Sequence, residues 1–242
     1  VVLVNSGNTG RLAEERGVPS GVIRLLHPGT DLPGRQPETA QQFRHLLGLG
    51  DRPLILSVGR LTRRKGLAEF ILHALPAVLA RHPDALLLVI GADANDAVHQ
   101  MAGSERERIL DFAHQAGVSE AVRILPHCDE STLSAAYQAA DTHVFPVVDV
   151  PGDVEGFGMV AIEAAARGAP TVGFGVGGVP DAIVEGVTGS LADPSDYETF
   201  AAQVCYWLEN GRTDGVRERC ASAAVAFGWS RFEQRLHAIL AQ

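Results

Sequence analysis

The chain has 242 residues, 46% hydrophobic and 20% charged, a globular balance with room for one large domain or for one domain and part of another. A net charge of −9 argues against a dedicated nucleic-acid binder, which needs clustered lysine and arginine, but leaves room for a small basic site. No apolar run reaches membrane-spanning length, and the opening VVLVNSGNTGR is too short and too polar for a signal peptide. Cys128, Cys205 and Cys220 are widely spaced, without a metal-ligand pattern, and read as reduced thiols of a cytoplasmic protein.

Taken in chain order, VVLVN is strand-like but has no partner strand near it in sequence. TGRLAEERG reads as a helix and GVIRLLHPGTDL as a strand leading into a turn. From Pro33 to Thr39 the chain is polar and contains proline, which suits a linker. Then apolar strands alternate with helices. LILSVG (54–59) and ALLLVIG (85–91) are strands that end at glycine. Between them, residues 67–82 are helical, with Pro76 a kink or restart. ERERILDFAHQAG (105–117) is a helix, AVRILP (121–126) a strand and ESTLSAAYQAA (130–140) a helix. THVFP (142–146), APTVGF (169–174) and TGSLAD are further strands, with helices at 158–168 and in GVPDAIVEG between them. Three helices close the chain, the last being WSRFEQRLHAILAQ (229–242).

Continuous apolar strands separated by helices predict a Rossmann-like α/β fold, a parallel sheet with helices on both faces. Ligands on such sheets lie beyond the carboxyl ends of the strands. Gly59-Arg60, Pro126-His127 and the loop 147–157 all follow strand ends and are expected on one edge. In SVGRLTRRKG (57–66), Arg60 offers a planar fork for phosphate oxygens, and Lys65, the sole lysine, offers a point charge. A solvated charge cluster would account for the same stretch.

The segment DVEGFGMVAIEAAARGAP places Glu155 before a helix start and Glu163 in its second turn. Gly156 and Gly158 allow close backbone approach, and a helix end there carries about half a positive charge, suited to an anion. A carboxylate on a largely buried helix needs partners. A sugar diol would serve Glu163, and so would a nearby arginine; Glu155 could simply complement the helix dipole. GFGVGGVPD (173–181) is glycine-rich but not a dinucleotide fingerprint, and its glycines would let the loop pass close to a ligand or a helix. His127 could line a cleft at its strand end, whereas His27, His73, His82 and His114 sit in ordinary settings. No metal-binding spacing and no G-x-S-x-G elbow appear.

In order and spacing, VGRLTRRKG, LSAAYQAADTHVFP, EGFGMVAIEA and GVGGVPDAIVEGVTGSLADP together resemble the retaining, nucleotide-sugar-dependent glycosyltransferases of family 4, which have the two-domain GT-B fold. The third stretch resembles the family's E-x7-E motif. The resemblance implies a sheet that is the C-terminal, donor-binding half of GT-B. It divides the chain into 1–50, the tail of the N-terminal acceptor domain and linker; 51–226, the nucleotide-sugar domain; and 227–242, a crossover helix.

Carried over residue by residue, Arg60 and Lys65 match the cations on the donor diphosphate, following Gly59. Glu155 matches the glutamate that contacts the transferred sugar. Gly156, Phe157 and Gly158 match the turn that approaches sugar and phosphate, and Glu163 matches the glutamate on the ribose hydroxyls. Arg60, Lys65 and Glu155 are thus the expected catalytic residues. His127, beside Pro126, stands where the family has a Gly-x pair near the base; Asp181 stands where glutamate is more usual; and VVDVPGDVE is longer than the common loop. The implied reaction transfers a hexose from a nucleoside diphosphate sugar to an acceptor hydroxyl with retention, with no metal and no cofactor beyond the donor. The implied partners are that donor and a sugar or lipid-linked acceptor held by the N-terminal domain, with no nucleic acid. The implied location is cytoplasmic, peripheral to the inner membrane. Without the rest of that domain the chain is expected to be silent in transfer and to expose apolar faces that draw two copies together. A nucleotide-sugar epimerase, a pyridoxal-dependent phosphorylase and a non-catalytic nucleotide-binding module are the alternative readings.

Overall fold

The computed structural model describes residues 1–93 and 104–241. A small parallel pair comes first: β1 (Val2–Val4), α1 (Gly7–Glu15) and β2 (Ile23–Leu25), with Val2 opposite Ile23. Here the sequence reading is corrected. The opening strand does have a near partner, reached through the α1 crossover, as parallel strands require.

A second correction concerns the stretch taken as linker. Pro37–Leu46 forms α2, with Pro37 at its start and Glu38 in its first turn. Both are helix-start signals, since proline there loses no intrahelical hydrogen bond and an acid complements the dipole. Phe43 on α2 is buried in the core beneath the main sheet.

That sheet contains β3 (Leu54–Val58), β4 (Leu86–Ile90), β5 (Val122–Leu125), β6 (Thr142–Phe145), β7 (Thr171–Phe174) and β8 (Gly189–Ala192). Its order is β5-β4-β3-β6-β7-β8, and every pair is parallel. The connecting helices are α3 (Leu67–His73), α4 (Leu75–Arg81), α5 (Glu105–Gln115), α6 (Glu130–Ala139), α7 (Met159–Ala166) and α8 (Val179–Ala182). The chain closes with α9 (Tyr197–Asn210), α10 (Asp214–Ala224) and α11 (Trp229–Leu240). Pro76 lies just inside α4, so the predicted restart falls at Ala74.

Alternation of side chains along each strand divides the core. Leu54 and Leu56, with Leu86, Leu88 and Ile90, pack beneath α2 and α6. Ile55, with Leu87 and Val89, packs beneath α3, α4 and α5 on the other face. The strands are apolar without interruption because both faces are covered.

The sequence of connections reverses between β3 and β6, and the crevice beyond the carboxyl ends at such a reversal is where ligands bind. At the N-terminal end of the chain, Gly29 lies against the indole of Trp229, with no room for a Cβ. Thr30 N–H donates to Phe227 O at 2.7 Å. Residues 29 and 30 therefore pack on the start of α11 and the turn before it, while Val2, Leu3, Leu25, Trp229 and Leu240 remain exposed. Among the described residues no helix is long and apolar enough to cross a membrane.

Candidate donor-binding site

The site is built from loops that leave β3, β6 and β7. After β3, Gly59 turns the chain with φ 141, and its N–H donates to Ile90 O at 3.1 Å. Arg63–Lys65 form one tight helical turn, ended by Gly66 at φ 64. A Cβ on Gly66 would sit 2.0 Å from Pro146 O, so only glycine brings the basic loop onto the exit of β6. Val148 N–H then donates to Arg64 O at 2.9 Å and fastens the two loops together.

This docking sets the charges. Lys65 Nζ donates to Glu155 Oε2 at 2.7 Å and lies 4.6 Å from the centre of the Phe145 ring. Arg64 bridges two acids: its Nε donates to Asp153 Oδ1 at 2.8 Å, and its Nη1 pairs with Glu155 Oε2. Burial lowers the pKa of Lys65, and the Glu155 carboxylate opposes that shift. Arg60 stands exposed where the loop leaves Gly59, near enough to lower the Lys65 pKa further. Arg64 and Asp153 are the members of this cluster that the sequence did not single out.

Glu155 leads into the glycine turn. Gly158, at φ 108, caps α7 and, as a glycine, offers no side chain to the first amides of that helix. Phe157 is buried against the rings of His27, at 5.2 Å, and Phe227, at 5.8 Å. Asn5 lies beside Gly156, and Thr9 Oγ1 donates to Asn5 Oδ1 at 2.7 Å. Gly7 N–H donates to Asp181 Oδ2 at 2.6 Å. Asp181 thus ties the start of α1 to the sheet domain. His27 and Asn5 were invisible as site residues because their neighbours come from far along the chain.

One turn and a half into α7, Glu163 Oε2 accepts from Tyr137 Oη at 3.1 Å. Arg167 donates to the backbone oxygen of Glu163 at 3.3 Å and places its guanidinium 5.6 Å from the Tyr137 ring. Glu163 is therefore held by a buried phenol rather than by an arginine pair. Burial and the adjacent carboxylate push the Tyr137 pKa well up, so its proton stays in place as a donor. His143 lies behind, 5.8 Å from the Tyr137 ring, with Nδ1 3.1 Å from Thr171 Oγ1. Complete burial, aided by Lys65, lowers its pKa to about 3.

The glycine-rich loop has a structural reason. A Cβ on Gly177 would meet Glu155 O at 2.6 Å, and one on Gly178 would meet Gly156 O at 2.0 Å. Gly178 N–H donates to Glu155 O at 2.9 Å. These glycines bring the loop onto the backbone of the glutamate turn.

Lys65, Glu155, Gly156, Phe157 and Gly158 thus converge, with Gly59, Arg60 and Glu163 on neighbouring stretches of the same elements. His127 is exposed after β5, the edge strand, with β4 between it and β3. Residues 94–103, which follow β4, lie outside the described residues. The thiols of Cys128, Cys205 and Cys220 are free, and burial pushes Cys220 up to about 12.

A family profile described as "Glycosyl transferases group 1" matches residues 39–226. The chain belongs to this family. It is 34% identical over 223 residues to a D-inositol 3-phosphate glycosyltransferase of Corynebacterium jeikeium, covering 89% of this chain and 50% of that protein. It is 32% identical over 230 residues to a GDP-mannose-dependent alpha-(1-6)-phosphatidylinositol monomannoside mannosyltransferase of Mycolicibacterium smegmatis, covering 93% and 56%. The chain spans about half the length of the curated relatives it matches.

Among solved structures, Anabaena HepE in complex with UDP and glucose superposes with a TM-score of 0.82 at 19% identity, over 100% of this chain and 63% of that one. A sucrose-phosphate synthase of Thermosynechococcus elongatus gives 0.77 at 28% identity, over 100% and 57%. The fold of this chain is accordingly the Rossmann-like half of GT-B, as the sequence motifs implied.

Proposed function

We propose that the chain binds the donor for retaining transfer of a hexose from a nucleoside diphosphate sugar to an acceptor hydroxyl. The observation that carries the reading is the meeting of Lys65, Glu155 and the α7 N-terminus at the reversal point between β3 and β6. In this reading the anomeric carbon–oxygen bond to the diphosphate breaks as the acceptor oxygen bonds to the same carbon, and the acceptor proton passes to an oxygen of the departing diphosphate. Arg60, Lys65 and the α7 amides stabilise the departing diphosphate. Such preorganised charge is the largest single source of rate in many enzymes. Glu155 orients the sugar, Glu163 accepts from the ribose hydroxyls, Gly59 and Gly156 to Gly158 admit the ligand, and His127 lies on the base side.

The acceptor, a sugar or a lipid-linked sugar, is read as bound by residues beyond the sheet domain, at the cytoplasmic face of a membrane. The name of one relative, which includes GDP-mannose, and the UDP complexes of HepE support a nucleotide-sugar donor. Titration calorimetry with UDP, GDP, ADP and their hexose derivatives tests the proposal. One of the three nucleotides is expected to bind. Absence of binding by all three at millimolar concentration overturns it.

A further inference from the structure

A large cleft lies away from the donor site. A cavity of about 820 Å³ lies at the opposite, amino-terminal end of the sheet, between α2, the end of α6 and α10. That volume suits a small molecule. Five arginines line it: Arg35, Arg44, Arg167, Arg212 and Arg217, a quarter of the 20 basic residues of an acidic chain. Asp51 is the one acid in the lining, and Asp141 is buried behind it.

Part of this charge has an internal use. Arg44 Nη1 donates to Ala139 O at 2.8 Å, and Arg217 donates to Gln138 O at 2.8 Å and Ala140 O at 2.9 Å. These bonds cap the carboxyl end of α6, where cations complement the helix dipole. Arg35 pairs with Asp214 at 2.7 Å. Two groups are left over. Arg212 is 42% exposed and meets Asp141 through Nε at 3.3 Å. Gln138 is 4% exposed, and its Oε1 accepts from Gln36 N–H at 2.5 Å, which fixes the amide orientation. That leaves Nε2, on a residue that lines the cleft, buried and without a hydrogen-bond partner among the described residues. A buried donor without an acceptor is costly.

We propose that this cleft is a second anion site, separate from the donor site, that takes a small multiply charged oxyanion of the phosphate-ester class. Arg212 and the Gln138 amide are its binding donors, with Arg44 and Arg217 supplying field from behind. Guanidinium groups match the geometry of phosphate oxygens, and an anion here would satisfy the Gln138 amide.

The test is calorimetric titration of the whole chain with pyrophosphate, and with citrate as a carboxylate comparison. The Lys65→Ala background weakens the donor site. Circular dichroism melts confirm folding of each variant. Pyrophosphate is expected to bind in the Lys65→Ala background. Adding Arg212→Gln should weaken that binding by about tenfold, the loss of one charged hydrogen bond. Gln138→Glu, which keeps the acceptor for Gln36 but repels an anion, should weaken it at least as much. UDP affinity of the Arg212→Gln single variant should stay unchanged. Weaker binding of citrate marks preference for phosphate. Pyrophosphate binding that vanishes with Lys65→Ala alone, or that is indifferent to both Arg212→Gln and Gln138→Glu, overturns the proposal.

Discussion

Lys65 Nζ and Glu155 Oε2 are 2.7 Å apart, so the lysine expected on the diphosphate and the glutamate expected on the sugar are hydrogen-bonded to each other. Lys65 comes from the loop after β3 and Glu155 from the loop after β6, the two sides of the reversal point. An ammonium has three donors, so one can hold Glu155 while others reach phosphate oxygens. In the proposed reading, the pair would fix the spacing between phosphate and sugar recognition before any chemistry.

Lys65→Ala is therefore expected to weaken a nucleoside diphosphate by about 1.5–3 kcal/mol, a charged hydrogen bond, and the bare nucleoside hardly at all. Calorimetry on the two ligands decides it. An equal loss on both would make Lys65 a structural residue of the loop.

Arg64 tests the rest of the cluster. Its side chain is 11% exposed and spans Asp153 and Glu155. Arg64→Gln leaves two half-buried carboxylates short of a partner and is expected to destabilise the fold by about 1–3 kcal/mol. It should also weaken the nucleotide sugar more than the free nucleoside diphosphate, because it loosens the loop that carries Glu155. Unfolding curves and paired titrations check both effects; equal weakening of the two ligands would separate Arg64 from sugar recognition.

The sequence made the sheet and the glutamate helix legible because both rest on local signals. Uninterrupted apolar strands bounded by glycine, and a Gly-Phe-Gly turn before an alanine-rich run, leave few alternatives. What it hid was either a local signal masked by polar neighbours or contact between distant residues. Pro37 and Glu38 signalled a helix, but the polar residues around them read as linker. Arg64 looked like its neighbours Arg63 and Arg60 until Val148 docked on its backbone. Tyr137 and Glu163 lie on different helices, and nothing in either helix announces the other. Asn5 and His27 reach Gly156 and Phe157 from some 130–150 positions away, through the α1 crossover.

Glu163 supplies the next prediction. Its carboxylate already accepts from Tyr137 Oη, which leaves acceptor capacity for a diol. Glu163→Gln should weaken a ribonucleotide more than its 2′-deoxy counterpart, by about 1.5–3 kcal/mol on the former. Tyr137→Phe should give a smaller loss with the same preference, since it frees rather than removes the carboxylate. Equal losses on both nucleotides in Glu163→Gln would withdraw the ribose assignment.

His143 governs a pH dependence. Its folded pKa of about 3 lies below the ordinary imidazole value of 6.5, so between these values the unfolded chain binds the extra proton. Its contribution to stability is complete above about pH 6.5 and is lost as the pH falls toward about 3. In His143→Gln this component should vanish, so the difference in unfolding free energy between pH 7 and pH 5 should shrink by about 1–2 kcal/mol. An unchanged pH slope would show that folding does not lower the imidazole pKa.

The glycine loop separates packing from ligand access. Gly178 is at φ −90, which any residue adopts, so its requirement is steric: a Cβ would lie 2.0 Å from Gly156 O and 2.8 Å from Ser6 Oγ. Backbone on one side cannot yield as a flexible side chain would. Gly178→Ala should push the loop off the glutamate turn and cost about 1–3 kcal/mol, the range for overpacking. For a chain of this size that is a fall in Tm of roughly 2–12 °C. Because Gly178 N–H holds Glu155 O at 2.9 Å, nucleotide-sugar affinity should fall as well. Gly175→Ala is the matched control, since its Cβ would meet only Ala192 O at 3.7 Å, an ordinary contact. Thermal melts and titrations on the two variants decide between the roles. If Gly178→Ala melts with Gly175→Ala but loses donor affinity, the glycine serves ligand approach and not the packing of loop on turn.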